Sequence, residues 1–202
     1  VRETAALLAS LGHDVEEAAP EIDGETIIGT LGGVWAADNA RSVRAIEREL
    51  GRKLGAGDLE ETTWELVRYG SHLSGVDLLD ALDALAAAGR RIAGFYDRYD
   101  VWLTPTLARE PLPIGVLNRP QGPGLAWWAF DCAFNPWNPV ANIAGLPAMS
   151  VPLAWTSGGL PIGSLFTGRF GAEATLYRLA GQLEAARPWA GRLPPVWAGA
   201  EA

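Results

Sequence analysis

Residues 142–169 read NIAGLPAMSVPLAWTSGGLPIGSLFTGR, and the reading of this stretch decides the fold. Its serines, glycines and prolines admit a Gly/Ser active-site loop, a phosphate cradle or a structural hairpin. Two apolar runs, MSVPLAW and IGSLFTG, flank the segment TSGGLP. Gly158 and Gly159 follow Thr156 and Ser157, where a turn between strands needs positive φ. Pro147 and Pro152 bracket Ser150, and each removes a ladder N–H at its own position. The spacing predicts strand, turn, strand, with Ser150 on one strand face and Ser157 in the turn. The phosphate reading fails elsewhere too. GAGDLE at residues 55–60 breaks the dinucleotide fingerprint at its third glycine, and no GxxxxGK[ST] occurs.

Working outward, DVWLTPTL at residues 100–107 is a nearly continuous apolar run, typical of a strand buried on both faces. Residues 109–139 are rich in proline and aromatics and are expected to form a long loop, the kind that often carries function. At the N-terminus a helix over residues 4–11 ends at Gly12, and residues 13–18 read as a short strand broken by Pro20. A second helix is expected over residues 37–50, with Val43, Ile46 and Leu50 as its apolar stripe. Asp58 with Glu61 reads as a capping box for a helix that Gly70 closes. Ser74 with Asp77 opens what should be the longest helix, carrying Leu78, Leu82, Leu85, Ile92, Tyr96 and Tyr99 at helical spacing. A last helix over residues 172–187 places Leu176, Leu179 and Leu183 on one face and stops at Pro188. The tail from Trp189 is irregular. Helices and strands in this order are those of an α/β protein.

Composition narrows the function classes. Apolar residues make up 49% and charged residues 20%, which is globular rather than disordered. The formal charge is −8, so no nucleic-acid partner is expected. Arg41, Arg44, Arg48 and Arg52 form a helical stripe, but Glu47 and Glu49 interrupt it and it reads as a solvated face. Cys132 is the only cysteine, and His13 and His72 are far apart, so neither a disulfide nor a metal site is expected. Ser71 and Ser74 in GSHLSG miss the GxSxG elbow and read as helix-end residues, leaving His72 without a nucleophile. Cys132 reads as a small buried residue. No apolar run approaches the ~20 residues of a membrane span, and the N-terminus lacks a signal-peptide core, so no membrane is expected and the cytoplasm is the expected compartment. Met149 is the only methionine and the sequence opens at Val1 inside a predicted helix. It is therefore expected to be a piece of a longer protein, or to use a start codon other than AUG.

The order YDVWLTPTLA, Pro-rich loop, FNPWNPVANIAGLPAMSVPLAWTSGGLPIGSLFTGR and EATLYRLAGQLE resembles the C-terminal half of amidase signature enzymes. TAALLASLGHDVEEAAPEIDG and GRRIAGFYDRYDVWLTPT fit the same pattern, so the resemblance covers nearly all of residues 1–202. Within the family the likeness is to the aliphatic and cyclic-amide branch, which includes 6-aminohexanoate cyclic-dimer hydrolases. It implies an α/β/α fold around a mixed sheet flanked by helices, of which residues 1–202 form the C-terminal portion of one domain. It also implies hydrolysis of a carboxamide to acid plus amine or ammonia, with a small-molecule amide as substrate and no cofactor. Family enzymes use a Ser–cis-Ser–Lys triad and backbone N–H donors in a Gly/Ser-rich stretch. That stretch lies upstream of the pattern matched here, and Lys53 sits in a hydrophilic loop with no serine beside it. No catalytic residue carries over.

What carries over is a pocket wall from the loop before GLPA: Cys132, Phe134, Asn135, Pro136, Trp137 and Asn138, with Trp35 and Trp128 beside them. Loop packing is the alternative for the aromatics. The chain is thus expected to be inactive alone, with the missing N-terminal half or a homodimer partner completing it. The other readings are a stand-alone binding or assembly module and one half of a split amidase. Each leaves sheet edges and apolar faces uncovered, so marginal stability is expected.

Overall fold

The computed structural model describes residues 1–117 and 126–197. The expected hairpin is its centre. Strand β2 spans Ala148–Trp155 and β3 spans Pro161–Gly168, antiparallel, with a register shift between Pro152 and Ala154. Gly159 alone supplies the positive φ of the turn, at 83°, and Gly158 does not share it. The Thr156 N–H takes the Leu160 carbonyl at 2.8 Å and its hydroxyl accepts from the Leu160 N–H at 3.0 Å, so the threonine clamps the loop from both sides. Strand β1, Val101–Pro105, pairs antiparallel with β3, giving the order β1-β3-β2. The run at 100–107 is therefore a strand as expected. It lies at an edge of these three strands, however, and only Thr104 in it is fully buried, because β3 occupies the centre.

Residues 164–168 of β3 are all buried, and their alternation sorts the core into two faces. On one face Phe166 packs with Val151, Leu153, Leu8 of α1 (Arg2–Ser10) and Leu176, Leu179 and Leu183 of a helix over Glu173–Ala186. The Thr4 and Ser164 hydroxyls meet there at 2.9 Å, so a buried polar pair is satisfied internally. On the other face α4 (Gly75–Phe95) and α6 (Asn138–Ala144) bring Ile92, Tyr96, Val140, Ala141 and Leu146 together, with Trp102 against them. The buried Tyr96 hydroxyl donates to the Thr167 carbonyl at 3.2 Å, tying that layer to the sheet. Burial raises its pKa. Helices on both faces of the sheet make the α/β/α layering expected of the sequence, and all three paired strands here are antiparallel.

Helix α4 opens with the capping box read from Ser74 and Asp77, both reciprocal bonds being formed. The closing helix, α7 (Glu173–Ala186), likewise runs where expected, with its three leucines buried. Several other elements differ from the reading. Residues 13–18 form no strand, since no described strand offers them a ladder. Glu16 instead holds the segment by accepting from Tyr99 and from Arg98, the latter at 2.8 Å. Helix α2 begins at Gly24, thirteen residues before position 37, and its 27 residues make it longer than α4. Asp23 caps it by accepting from the Thr26 N–H, and Gly29, Gly32 and Gly33 lie within it. Asp58 opens no helix: it accepts from Gly55 N–H and from Arg52, while α3 (Glu61–His72) has Glu60 at its N-cap. Gly70 lies inside α3 and does not close it. Its missing side chain lets the helix lie against the Ala36 backbone of α2, where a Cβ would overlap the Ala36 carbonyl.

The interval 109–139 is not loop throughout. Helix α5 spans Ala126–Phe134 and α6 begins at Asn138 with Pro139 in its first turn, while residues 118–125 of the expected loop lie outside the described residues. The tail is irregular through Trp197, and residues 198–202 also lie outside the description.

Candidate functional site

The expected pocket residues group around α5. Cys132 and Phe134 are buried on this helix, Asn135, Pro136 and Trp137 form the corner to α6, and Asn138 is the first residue of α6. The Asn138 amide nitrogen donates to the Asn135 side-chain oxygen and, at 3.1 Å, to the Thr106 carbonyl just beyond β1. The Ala108 N–H reaches the Phe134 carbonyl at 2.9 Å. This corner is thereby fastened to the segment leaving the sheet.

Trp128 lies at the other end of α5. Its indole N–H donates to the Ile28 carbonyl of α2 at 3.3 Å, and its ring centroid stands 5.0 Å from that of Trp35. Trp35 was expected just before the second helix. It lies within α2, which starts earlier, and it is 43% exposed. Trp127 joins the pair at 6.4 Å from Trp35. Trp128 fits only because Gly32 has no side chain, since a Cβ there would stand 2.7 Å from its Nε1. The structure thus gathers the eight residues into two sets, tryptophans at the start of α5 and asparagines beyond its end. At ~1.5 Å per residue these are roughly 10 Å apart along the axis.

Cys132 behaves as the buried small residue that the sequence suggests. Burial first, then the Asp131 charge, pushes its thiol up to about 11. At pH 8 roughly one thiol in a thousand is then thiolate, so alkylation by iodoacetamide should be at least tenfold slower than in urea-unfolded chain. Mass spectrometry of a time course reads this. Equal rates in both states would contradict the buried placement. Burial also raises the Asp131 carboxyl.

A cleft of about 290 Å³ lies beside the asparagine corner, lined by Thr106, Leu107, Arg109, Pro111, Ser150, Pro152, Pro161, Ile162 and Gly163. Ser150 and Pro152 point away from Val151 and Leu153, hence toward the face that α6 covers. The Thr106 and Ser150 hydroxyls are 2.6 Å apart. A Cβ on Gly163 would overlap both oxygens, so only glycine lets them meet. Among the described residues neither hydroxyl has a basic nitrogen or carboxylate as partner. Candidate bases stand elsewhere. His72 Nδ1 meets the Arg68 carbonyl at 2.7 Å, His13 Nε2 meets Gln182 at 3.0 Å, and Lys53 pairs with Glu47 at 2.7 Å on the surface.

Thr106 and Arg109 did not emerge from the sequence, and Ser150 emerged only as a strand residue. The available signal was Gly163 inside an otherwise apolar strand, which marks close approach by another segment.

The comparisons with known proteins agree with this architecture. The chain is 30% identical to the 6-aminohexanoate-cyclic-dimer hydrolase of Paenarthrobacter ureafaciens over 202 residues, covering 96% of the chain and 41% of that protein. The solved structure of a 6-aminohexanoate cyclic dimer hydrolase superposes with a TM-score of 0.88 at 30% identity, covering 96% of the chain and 42% of that structure. A bacterial aryl acylamidase of the amidase signature family shares the fold, with a TM-score of 0.74 at 21% identity over 96% of the chain and 42% of that structure. The chain therefore spans about two fifths of the length of these relatives. The Amidase family pattern itself matches residues 1–177, and with the α/β/α layering around the hairpin this places the chain in the amidase family.

Proposed function

We propose that residues 1–202 are the C-terminal portion of a single amidase-signature domain, in an enzyme that hydrolyses a carboxamide C–N bond to a carboxylic acid plus amine or ammonia. The observation that carries this reading is the superposition of nearly the whole chain on a 6-aminohexanoate cyclic dimer hydrolase. The nucleophile and its base belong to the part of the fold outside these residues, where the family's Ser–cis-Ser–Lys set lies. This chain's part is to wall the substrate cleft and keep water from it. In this reading its wall is made by Cys132, Phe134 and the Asn135–Asn138 corner, with Pro136 and Trp137 at the bend and Trp35 and Trp128 at the far end of α5. None of these eight is among the nine residues lining the cleft at Thr106 and Ser150. The substrate is a small amide, and the compartment is the cytoplasm; among the described residues no helix is long and apolar enough to cross a membrane.

Chemically, the serine attacks the amide carbonyl, its proton passes through the bridging serine to the unprotonated lysine, and N–H donors hold the tetrahedral oxyanion until the amine leaves. None of those steps uses a side chain of residues 1–202. Amide hydrolysis by the chain alone, set against the chain joined to a segment bearing the triad, tests this reading.

A further inference from the structure

The cleft beside the asparagine corner differs in charge from the chain taken as a whole. The chain carries a formal charge of −8, yet the nine residues lining the cleft include Arg109 and no carboxylate. Arg109 is exposed on the segment that leaves β1, and among the described residues its guanidinium has no hydrogen bond or ion pair. Its five N–H donors are free for a ligand. The hydroxyl pair adds to them. Thr106 and Ser150 share one proton in their mutual 2.6 Å bond, which leaves a second hydroxyl proton with no acceptor among the described residues. Gly163 keeps the floor open beneath them, while Pro111, Pro152, Pro161 and Ile162 make the remaining walls apolar. A cationic fork, one spare O–H and apolar sides fit a carboxylate at the end of an aliphatic chain.

We propose that this cleft holds a carboxylate carried by the substrate at a distance from its scissile amide, and that Arg109 is the residue that selects it. The proposal rests on the amidohydrolase reading for the identity of the ligand, and it narrows the substrate class to amides of aliphatic carboxylic acids bearing a second, free carboxylate. Arg109 acts here in specificity. It touches no bond that breaks.

Binding is the test, because it needs no turnover. Hexanoate and 1-hexanol, equal in chain length and different in charge, are titrated into 15N-labelled residues 1–202 while the amide signals of Thr106, Ile162 and Gly163 are followed. Hexanoate should shift all three saturably and bind about tenfold more tightly than 1-hexanol. Arg109→Gln should abolish that preference and leave 1-hexanol binding unchanged, while Arg109→Lys should keep part of it. Equal binding of the two probes, absence of saturable shifts at these three amides, or an unaltered hexanoate affinity in Arg109→Gln would each overturn the proposal. If hexanoate binds as expected but the chain joined to a triad-bearing segment hydrolyses no amide, the functional reading fails and the anion subsite stands.

Discussion

Replacing Phe166 by alanine should lower the unfolding free energy by about 4 kcal/mol. Phe166 is wholly buried at the centre of the middle strand, between Leu103 of β1 and Met149 of β2 in register. It belongs to the buried cluster of Val151, Leu153, Leu8, Leu176, Leu179 and Leu183, which joins the sheet to both α1 and α7. These neighbours belong to regular elements held by their own backbone bonds and cannot close over the void, which keeps the loss within the usual range for such a truncation. Urea unfolding followed by circular dichroism gives the measurement: a lower midpoint at an unchanged slope. Since domains are commonly stable by only ~5–15 kcal/mol, a loss of this size removes much of the margin. A loss below about 1 kcal/mol would mean that the core is not organised around β3.

Gly70→Ala should be nearly as damaging, by about 3 kcal/mol, for the opposite reason. Here an atom is added where two helices touch backbone to backbone. The new Cβ would overlap the Ala36 carbonyl and stand 2.6 Å from the Ala37 nitrogen. Neither is the end of a flexible side chain, so α3 must lift away from α2 and loosen the Val43–Val67 contact and the Trp64 and Leu59 packing around it. Alanine is the better helix former by about 1 kcal/mol, so an isolated α3 would gain from the change. The sign of the result therefore separates the two accounts. A stabilised Gly70→Ala protein would mean that the helices do not cross at this glycine.

The same glycine shows what the sequence could and could not reveal. A Gly near the end of a helical pattern reads as a C′ residue, and only the crossing of α2 and α3 discloses that it is a contact point. Where the signal was local it was legible. Ser74 and Asp77 bond each other's backbone, the Gly159 turn joins the two predicted strands, and Pro188 lies just past the end of α7. The first half of α2 was hidden because Gly29, Gly32 and Gly33 depress its propensity, although Asp23 followed by Thr26 marked its start. Helix α5 was hidden by prolines on either side of a short aromatic run, AWWAFDCAF. Asp58 was misread because a carboxylate that could cap a helix found Arg52 and the Gly55 N–H first. The family resemblance pointed to the asparagine corner as a pocket wall, and none of its residues is among those lining the described cleft. The cleft stayed out of reach because it is assembled from residues 106–111, 150–152 and 161–163, which meet only once β1 and β2 both pair with β3.

The most direct test of the account is amide hydrolysis measured on two proteins. One is residues 1–202 alone. The other is the same residues joined to the N-terminal segment of a 6-aminohexanoate-cyclic-dimer hydrolase that the chain does not match. Release of amine or ammonia from a panel of linear and cyclic aliphatic amides, with and without a second, free carboxylate, is followed for both. The account predicts turnover by the joined protein, its loss when the attached segment's nucleophilic serine is replaced by alanine, and no turnover above buffer by residues 1–202 alone. Hydrolysis by residues 1–202 alone, abolished by a point change within them, would contradict it.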